Sequence, residues 1–242
     1  MIKMILMIGF SIVAFPAIAQ GNKTIESFSK AKKLLERKVY FDHRETLYCS
    51  AEFDAKKNVI APAGFTSKTH KKRAKRLEWE HAVPAQNFGR SFVEWREGDA
   101  ECVSNKGKSF KGRKCASKQN KEYRYMQSDM YNLFPAIGAV NALRSNYNFV
   151  DTVDADSDFG SCAMKIDKRK VEPTNESKGR IARAYLYMDS TYPRYNMSKQ
   201  QKQLMTAWDS MYPASLWECQ RYKRIKDIQK NDNSIMAQRC SD

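Results

Sequence analysis

Six cysteines behind an export leader constrain this chain more than any other feature. Lys3 opens the N-terminus with a positive charge, Met4 to Phe15 is apolar apart from Gly9 and Ser11, and Ala17-Ile18-Ala19 has the small-x-small form of a cleavage site. The apolar run falls short of the roughly 20 residues that span a bilayer, and no later stretch is apolar enough to do so. Residues 1–19 therefore read as a signal peptide cleaved after Ala19, leaving residues 20–242 as one periplasmic or secreted domain with no membrane span. Cys49, Cys102, Cys115, Cys162, Cys219 and Cys240 all lie beyond the leader, an even number in an oxidising compartment. None forms a CxxC pair, so zinc binding and redox exchange are poor readings and three structural disulfides are expected. Six cysteines leave many pairings open; Cys102–Cys115, Cys49–Cys162 and Cys219–Cys240 are the working set.

Periodicity predicts a mixed α+β fold. Thr24 to Arg37 places Ile25, Phe28, Ala31, Leu34 and Leu35 on one helical face, a core stripe. Leu47 to Phe53 reads as extended and Asn58 to Ala61 as its partner. Arg76 to His81 alternates like a strand, which Pro84 bounds. Gly98 to Lys121 has no hydrophobic period and reads as a loop bracketed by Cys102 and Cys115. Ser128 to Pro135 leads into a helix over Ala136 to Leu143, with Pro135 in its first turn. Helices follow over Lys178 to Asp189, from Ser198 with Gln201 at the capping-box position, and from Ser215 with Glu218. Asp154, Asp156 and Asp158 are spaced like calcium ligands, but Phe159 and Lys165 occupy the positions that need glycine and glutamate.

The net charge of +16 points to a polyanionic partner or surface. Its densest run, Lys68 to Arg76, includes Lys71, Lys72, Arg73 and Lys75 and ends just before Glu80-His81. A carboxylate offers a hard oxygen to Mg²⁺, and a histidine can take a proton near neutral pH. Cations, ligand and base together suit phosphodiester hydrolysis, although the dipeptide alone is a weak signal. Strict alternation would turn Glu80 and His81 to opposite faces, so a shared site requires the strand to end or bulge there. Asn132 has two readings, N-cap of the helix expected after it or side-chain ligand to a hard metal. The residues alone favour the cap. Lys106 to Lys121 forms a second basic stretch.

Glu80-His81-Ala82-Val83-Pro84-Ala85, Gly112-Arg113-Lys114-Cys115, Asp129 to Ala136 and Asn141 to Asn146 occur in that order, and with them the chain resembles the bacterial endonuclease I family. The resemblance continues through Cys162 to Lys165, Arg180 to Arg183 and Trp208 to Cys219, nearly the whole mature chain. It implies an exported, sequence-nonspecific endonuclease with a ββα-metal, or His-Me finger, site. Glu80 and Asn132 would then ligate a single Mg²⁺, His81 would be the general base and Arg113 the cation beside the scissile phosphate. On charge, Lys71, Lys72, Arg73 and Lys75 of the basic run, with Arg144, are the residues expected to hold DNA, with RNA a second candidate, through phosphates without base readout. Cleavage would leave 5′-phosphate ends, and the protein would act as a monomer. The rival reading is a basic nucleic-acid-binding envelope protein without catalysis, which needs the charge but not the Glu80, His81 and Asn132 set.

Overall fold

Ser27 sets the first boundary of the fold: its hydroxyl accepts from the Lys30 backbone N–H and caps α1 (Phe28–Leu34), which widens into a π-helical turn at Leu35–Val39. The helix predicted from Thr24 thus starts four residues later, at Phe28, just after its capping residue. The computed structural model describes residues 20–241; the leader predicted over 1–19 lies outside the described residues. After α1 come β1 (Glu52–Phe53) and β2 (Val59–Ile60), paired antiparallel as expected, though Leu47 to Tyr48 is turn rather than strand. Then follow α2 (Lys71–Ala74), β3 (Leu77–His81), α3 (Ala85–Gly89), α4 (Val93–Arg96), α5 (Arg113–Gln119) and α6 (Lys121–Gln127). A short 3₁₀ turn at Met130–Asn132 leads to β4 (Leu133–Ile137) and α7 (Gly138–Arg144). Next come β5 (Asn148–Phe149), β6 (Lys165–Asp167) and β7 (Lys170–Glu172), in the sheet order β5-β7-β6. The chain continues with α8 (Asn175–Thr191), α9 (Lys199–Met211), α10 (Leu216–Gln229) and α11 (Ser234–Arg239). Helices around three small sheets make this the mixed α+β fold read from periodicity.

The pair β3–β4 departs most from expectation. Residues 133–137 form a strand, not the lead into a helix, with Leu77 opposite Ile137 and His81 opposite Leu133. Pro135 is tolerated because of phase. The bonds Ala82 N→Asn132 O (3.1 Å) and Gly138 N→Arg76 O (3.0 Å) bracket the ladder, so Trp79 and Pro135 fall at a non-hydrogen-bonded pair. Proline's missing N–H is therefore not needed by β3, and its carbonyl accepts from Leu47 N–H instead (2.8 Å). The helix then begins at Gly138, where an added Cβ would meet the Arg73 carbonyl at 2.6 Å and Glu78 Oε1 at 2.9 Å. Only glycine lets α7 lie so close to the start of β3.

Two further expectations change. Gly98 to Lys121 is loop only as far as Gly112, whose φ of +75° suits glycine and turns the chain into α5. Seven residues with only Cys115 and Ala116 buried are too few to show a period. Asn132 does not cap α7, whose start lies six residues away. The local devices hold: Ser198 accepts from Gln201 N–H, and Ser215 with Glu218 makes a full capping box. One core runs from Leu35 and Tyr40 through Leu133, Phe134 and Ile137 to Ile181, Tyr185 and Trp208, with α8 buried through most of its length. The disulfides Cys49–Cys162, Cys102–Cys115 and Cys219–Cys240 form as expected. The first closes a separation of 113 residues; a loop on the order of 100 residues gains about 4–5 kcal/mol by chain entropy.

Candidate active site

Everything that converges does so at the C-terminal end of β3. The strand stops at His81, and the next backbone bond, from Ala82, goes to Asn132. Asn132 fixes that stop: its Oδ1 accepts from Val83 N–H (2.8 Å) and its Nδ2 donates to the Val83 carbonyl (3.0 Å). The side chain is fully buried, yet its amide oxygen has a second lone pair beyond the Val83 bond.

Glu80 sits under α7. Its Oε1 accepts from the Tyr48 hydroxyl (2.7 Å) and from Arg144 Nη1 (2.8 Å), and no hydrogen bond among the described residues uses Oε2. Burial pushes the Glu80 carboxyl upward, while Arg144 and Tyr48 pull it back. Arg144 is wholly enclosed, donating also to the carbonyls of His81 (3.0 Å) and Ala82 (2.6 Å). This corrects the expectation that Arg144 touches DNA: a guanidinium with none of its side chain exposed cannot reach a phosphate backbone. It neutralises Glu80 and satisfies the carbonyls that the ending strand leaves unpaired.

His81 turns to a different set of neighbours, as alternation requires. Its ring stacks on Phe28 (centroids 5.1 Å, planes 25° apart) and faces Phe88. Its Nε2 lies 2.8 Å from the Gln127 carbonyl at the end of α6. A carbonyl only accepts, so this geometry assigns the proton to Nε2 and the lone pair to Nδ1. Burial, then the charge of Arg113, push the imidazole down to about 3. The ring is neutral through the physiological range.

The cations divide into two groups. Arg113, exposed at the start of α5, holds its guanidinium 5.1 Å from the Phe28 ring and so beside His81. Lys71, Lys72 and Lys75 are exposed on and just after α2, before the opposite end of β3, which itself lies about 14 Å from His81 at the usual strand rise. Arg73 forms a two-point pair with Glu78 (2.8 and 2.5 Å), so its charge is already matched. Tyr48 adjoins Glu80, and Gln127, Phe28 and Lys32 adjoin His81; none of the four stood out as a site residue in the sequence. For Arg144 a signal did exist: it lies four residues after the buried Val140, on the inner face of α7.

A lone pair on a neutral imidazole, two hard-oxygen donors and unmatched cations at one strand end suit hydrolysis of a phosphate ester. The family model for endonuclease I matches residues 29–240. The chain is 40% identical over 222 residues to an extracellular deoxyribonuclease of Aeromonas hydrophila, covering 89% of this chain and 91% of that protein. Identity is 38% over 236 residues to a periplasmic deoxyribonuclease of the same organism, with 95% and 92% covered. To endonuclease-1 of Buchnera aphidicola subsp. Acyrthosiphon pisum it is 36% over 225 residues, with 90% and 84% covered.

Proposed function

The chain belongs to the endonuclease I family, and from that premise we propose that it is an exported endonuclease that hydrolyses DNA at the His81 end of β3. Export is supported by three disulfides and by relatives named extracellular or periplasmic deoxyribonucleases. The observation that carries the hydrolytic reading is the fixed, neutral His81, with Nε2–H spent on Gln127 and Nδ1 left as a base.

We read the antiparallel pair β3–β4, with α7 packed beside it, as the ββα frame. Glu80 Oε2 and Asn132 Oδ1 would hold one Mg²⁺; two protein oxygens suit a hard ion that keeps most of its water. When bound, that ion offsets negative charge on the phosphate and on the leaving oxygen. The rest is the work of the chain. His81 Nδ1 takes a proton from water as the water oxygen attacks phosphorus in line. The bond from phosphorus to the 3′-oxygen breaks and that oxygen takes a proton from solvent water, leaving a 5′-phosphate and a 3′-hydroxyl. Arg113 lies beside the base, where it can stabilise charge growing on the phosphate. Lys71, Lys72 and Lys75, with the exposed Lys106, Lys108, Lys111, Lys114, Lys118 and Lys121, would track the backbone. Phosphate contacts carry no sequence information, so cleavage is nonspecific, and the same chemistry extends to RNA.

The test is purified protein on covalently closed plasmid. In Mg²⁺, nicked circles form and then linear DNA, and excess chelator stops the reaction. Plasmid that stays closed in Mg²⁺ and Mn²⁺ while binding the protein would leave a nucleic-acid-binding protein without catalysis.

A further inference from the structure

We propose that Lys32 and Arg113, gathered on the ring of Phe28, form a two-cation seat for the backbone of the strand being cut. The inference rests on the nuclease reading and adds to it a substrate-binding residue and a whole element, α1, whose exposed edge becomes part of the cleft. Phe28 lies on the stripe read as core, but it is only half-buried, whereas Ala31 and Leu35 on the same stripe are fully enclosed. Its ring has three neighbours. His81 stacks on it at 5.1 Å, Lys32 Nζ lies 4.6 Å from its centroid and Arg113 Cζ lies 5.1 Å from it.

The charges make this arrangement informative. Among the described residues neither Lys32 nor Arg113 has a carboxylate within salt-bridge distance, whereas Arg73, Arg124 and Arg224 each have one and Arg183 has two. These two distances hold the heads within about 10 Å of each other, roughly one Debye length, so they repel. Contact with the aromatic face steadies each head without neutralising it. Cations that are held, unmatched and close together attract an anion. Both lie against the Phe28 ring on which the His81 imidazole stacks. The anion that meets them is therefore the one His81 acts upon, a phosphodiester strand that supplies successive charges along the span.

Lys32→Ala is the sharp variant, because a half-buried surface lysine can be truncated without opening the core. DNA affinity across a salt series, measured in chelator so that nothing is cut, should show a log–log slope flattened by about 0.9 for one lost phosphate contact on duplex DNA. With Mg²⁺ the same variant should raise KM about tenfold and change kcat less. Lys32→Arg should restore both, and Phe28→Leu, which removes the platform but keeps apolar bulk, should flatten the slope as well. Lys202→Ala is the control, since Lys202 already pairs with Asp189 at 2.9 Å; it should match wild type. A Lys32→Ala protein with the slope and KM of the Lys202→Ala control would overturn the seat while wild-type cutting left the nuclease reading intact. Loss of cutting in wild type would overturn the nuclease reading, and the slopes in chelator would still decide whether Lys32 meets phosphate.

Discussion

Replacing His81 by alanine should slow DNA cleavage by about 10²–10⁴-fold, the usual cost of a lost general base, while DNA affinity stays near wild type. The two effects separate because the imidazole is neutral and buried, so it contributes no charge to binding. The same substitution should change the acid limb of stability. His81 has a folded pKa of about 3 against 6.5 for the free side chain, so the unfolded chain takes up the proton first as pH falls. Its contribution is full above pH 6.5 and is lost as pH falls towards 3, at up to about 1.4 kcal/mol per pH unit. Melting temperature from pH 7 to pH 4 should therefore fall less steeply in His81→Ala. Cleavage at the wild-type rate by a folded His81→Ala protein would remove His81 from the chemistry and leave it a buried structural histidine.

Arg144→Ala should be the most destabilising change at the site. It strips the buried Glu80 of its counter-charge and leaves the His81 and Ala82 carbonyls without donors. Breaking a buried pair from one side costs about 3–5 kcal/mol. For a chain of this size that is about 6–20 °C in melting temperature. Activity should fall with it, because Glu80 Oε1 would keep only the Tyr48 hydroxyl of its two partners and the carboxylate would be less firmly oriented. Arg144→Lys retains the charge but not the fork, and should recover only part of the loss. The salt dependence of DNA binding decides between an internal and an external role. An unchanged slope with a lowered melting temperature fits the buried network, whereas a flatter slope with unchanged stability would return Arg144 to the DNA surface.

Features fixed by neighbours in the chain were readable from it. The Ser215–Glu218 box, the α8 face carrying Ile181, Tyr185 and Met188, and the alternation of the strand that leads to His81 all follow from spacing alone. Features fixed by partners distant in sequence were not. Pro135 suggests a helix start until β3 lies beside it in the one phase that does not need its N–H. Asn132 resembles a cap until Val83 takes both ends of its amide. Lys32 is indistinguishable in sequence from other surface cations until the Phe28 ring places it, and the spacing of Arg144 from Val140 hints at an inner face that burial against Glu80 makes plain. The basic run before β3 adjoins Glu80 in sequence, but the length of an extended strand carries it away from the base.

The central claim is that Glu80 serves the chemistry through its free oxygen, and the initial rate of plasmid nicking against Mg²⁺ concentration tests it in wild type and Glu80→Gln. Glutamine keeps the shape and an oxygen to accept from Tyr48 and Arg144, so the protein should fold, with a lower melting temperature for the lost charge pair. We predict a Mg²⁺ requirement raised at least about tenfold and a much lower maximal rate, since a neutral amide oxygen is a poorer ligand for a hard cation than a carboxylate. A folded Glu80→Gln protein that reaches the wild-type rate at the wild-type Mg²⁺ concentration would contradict the account.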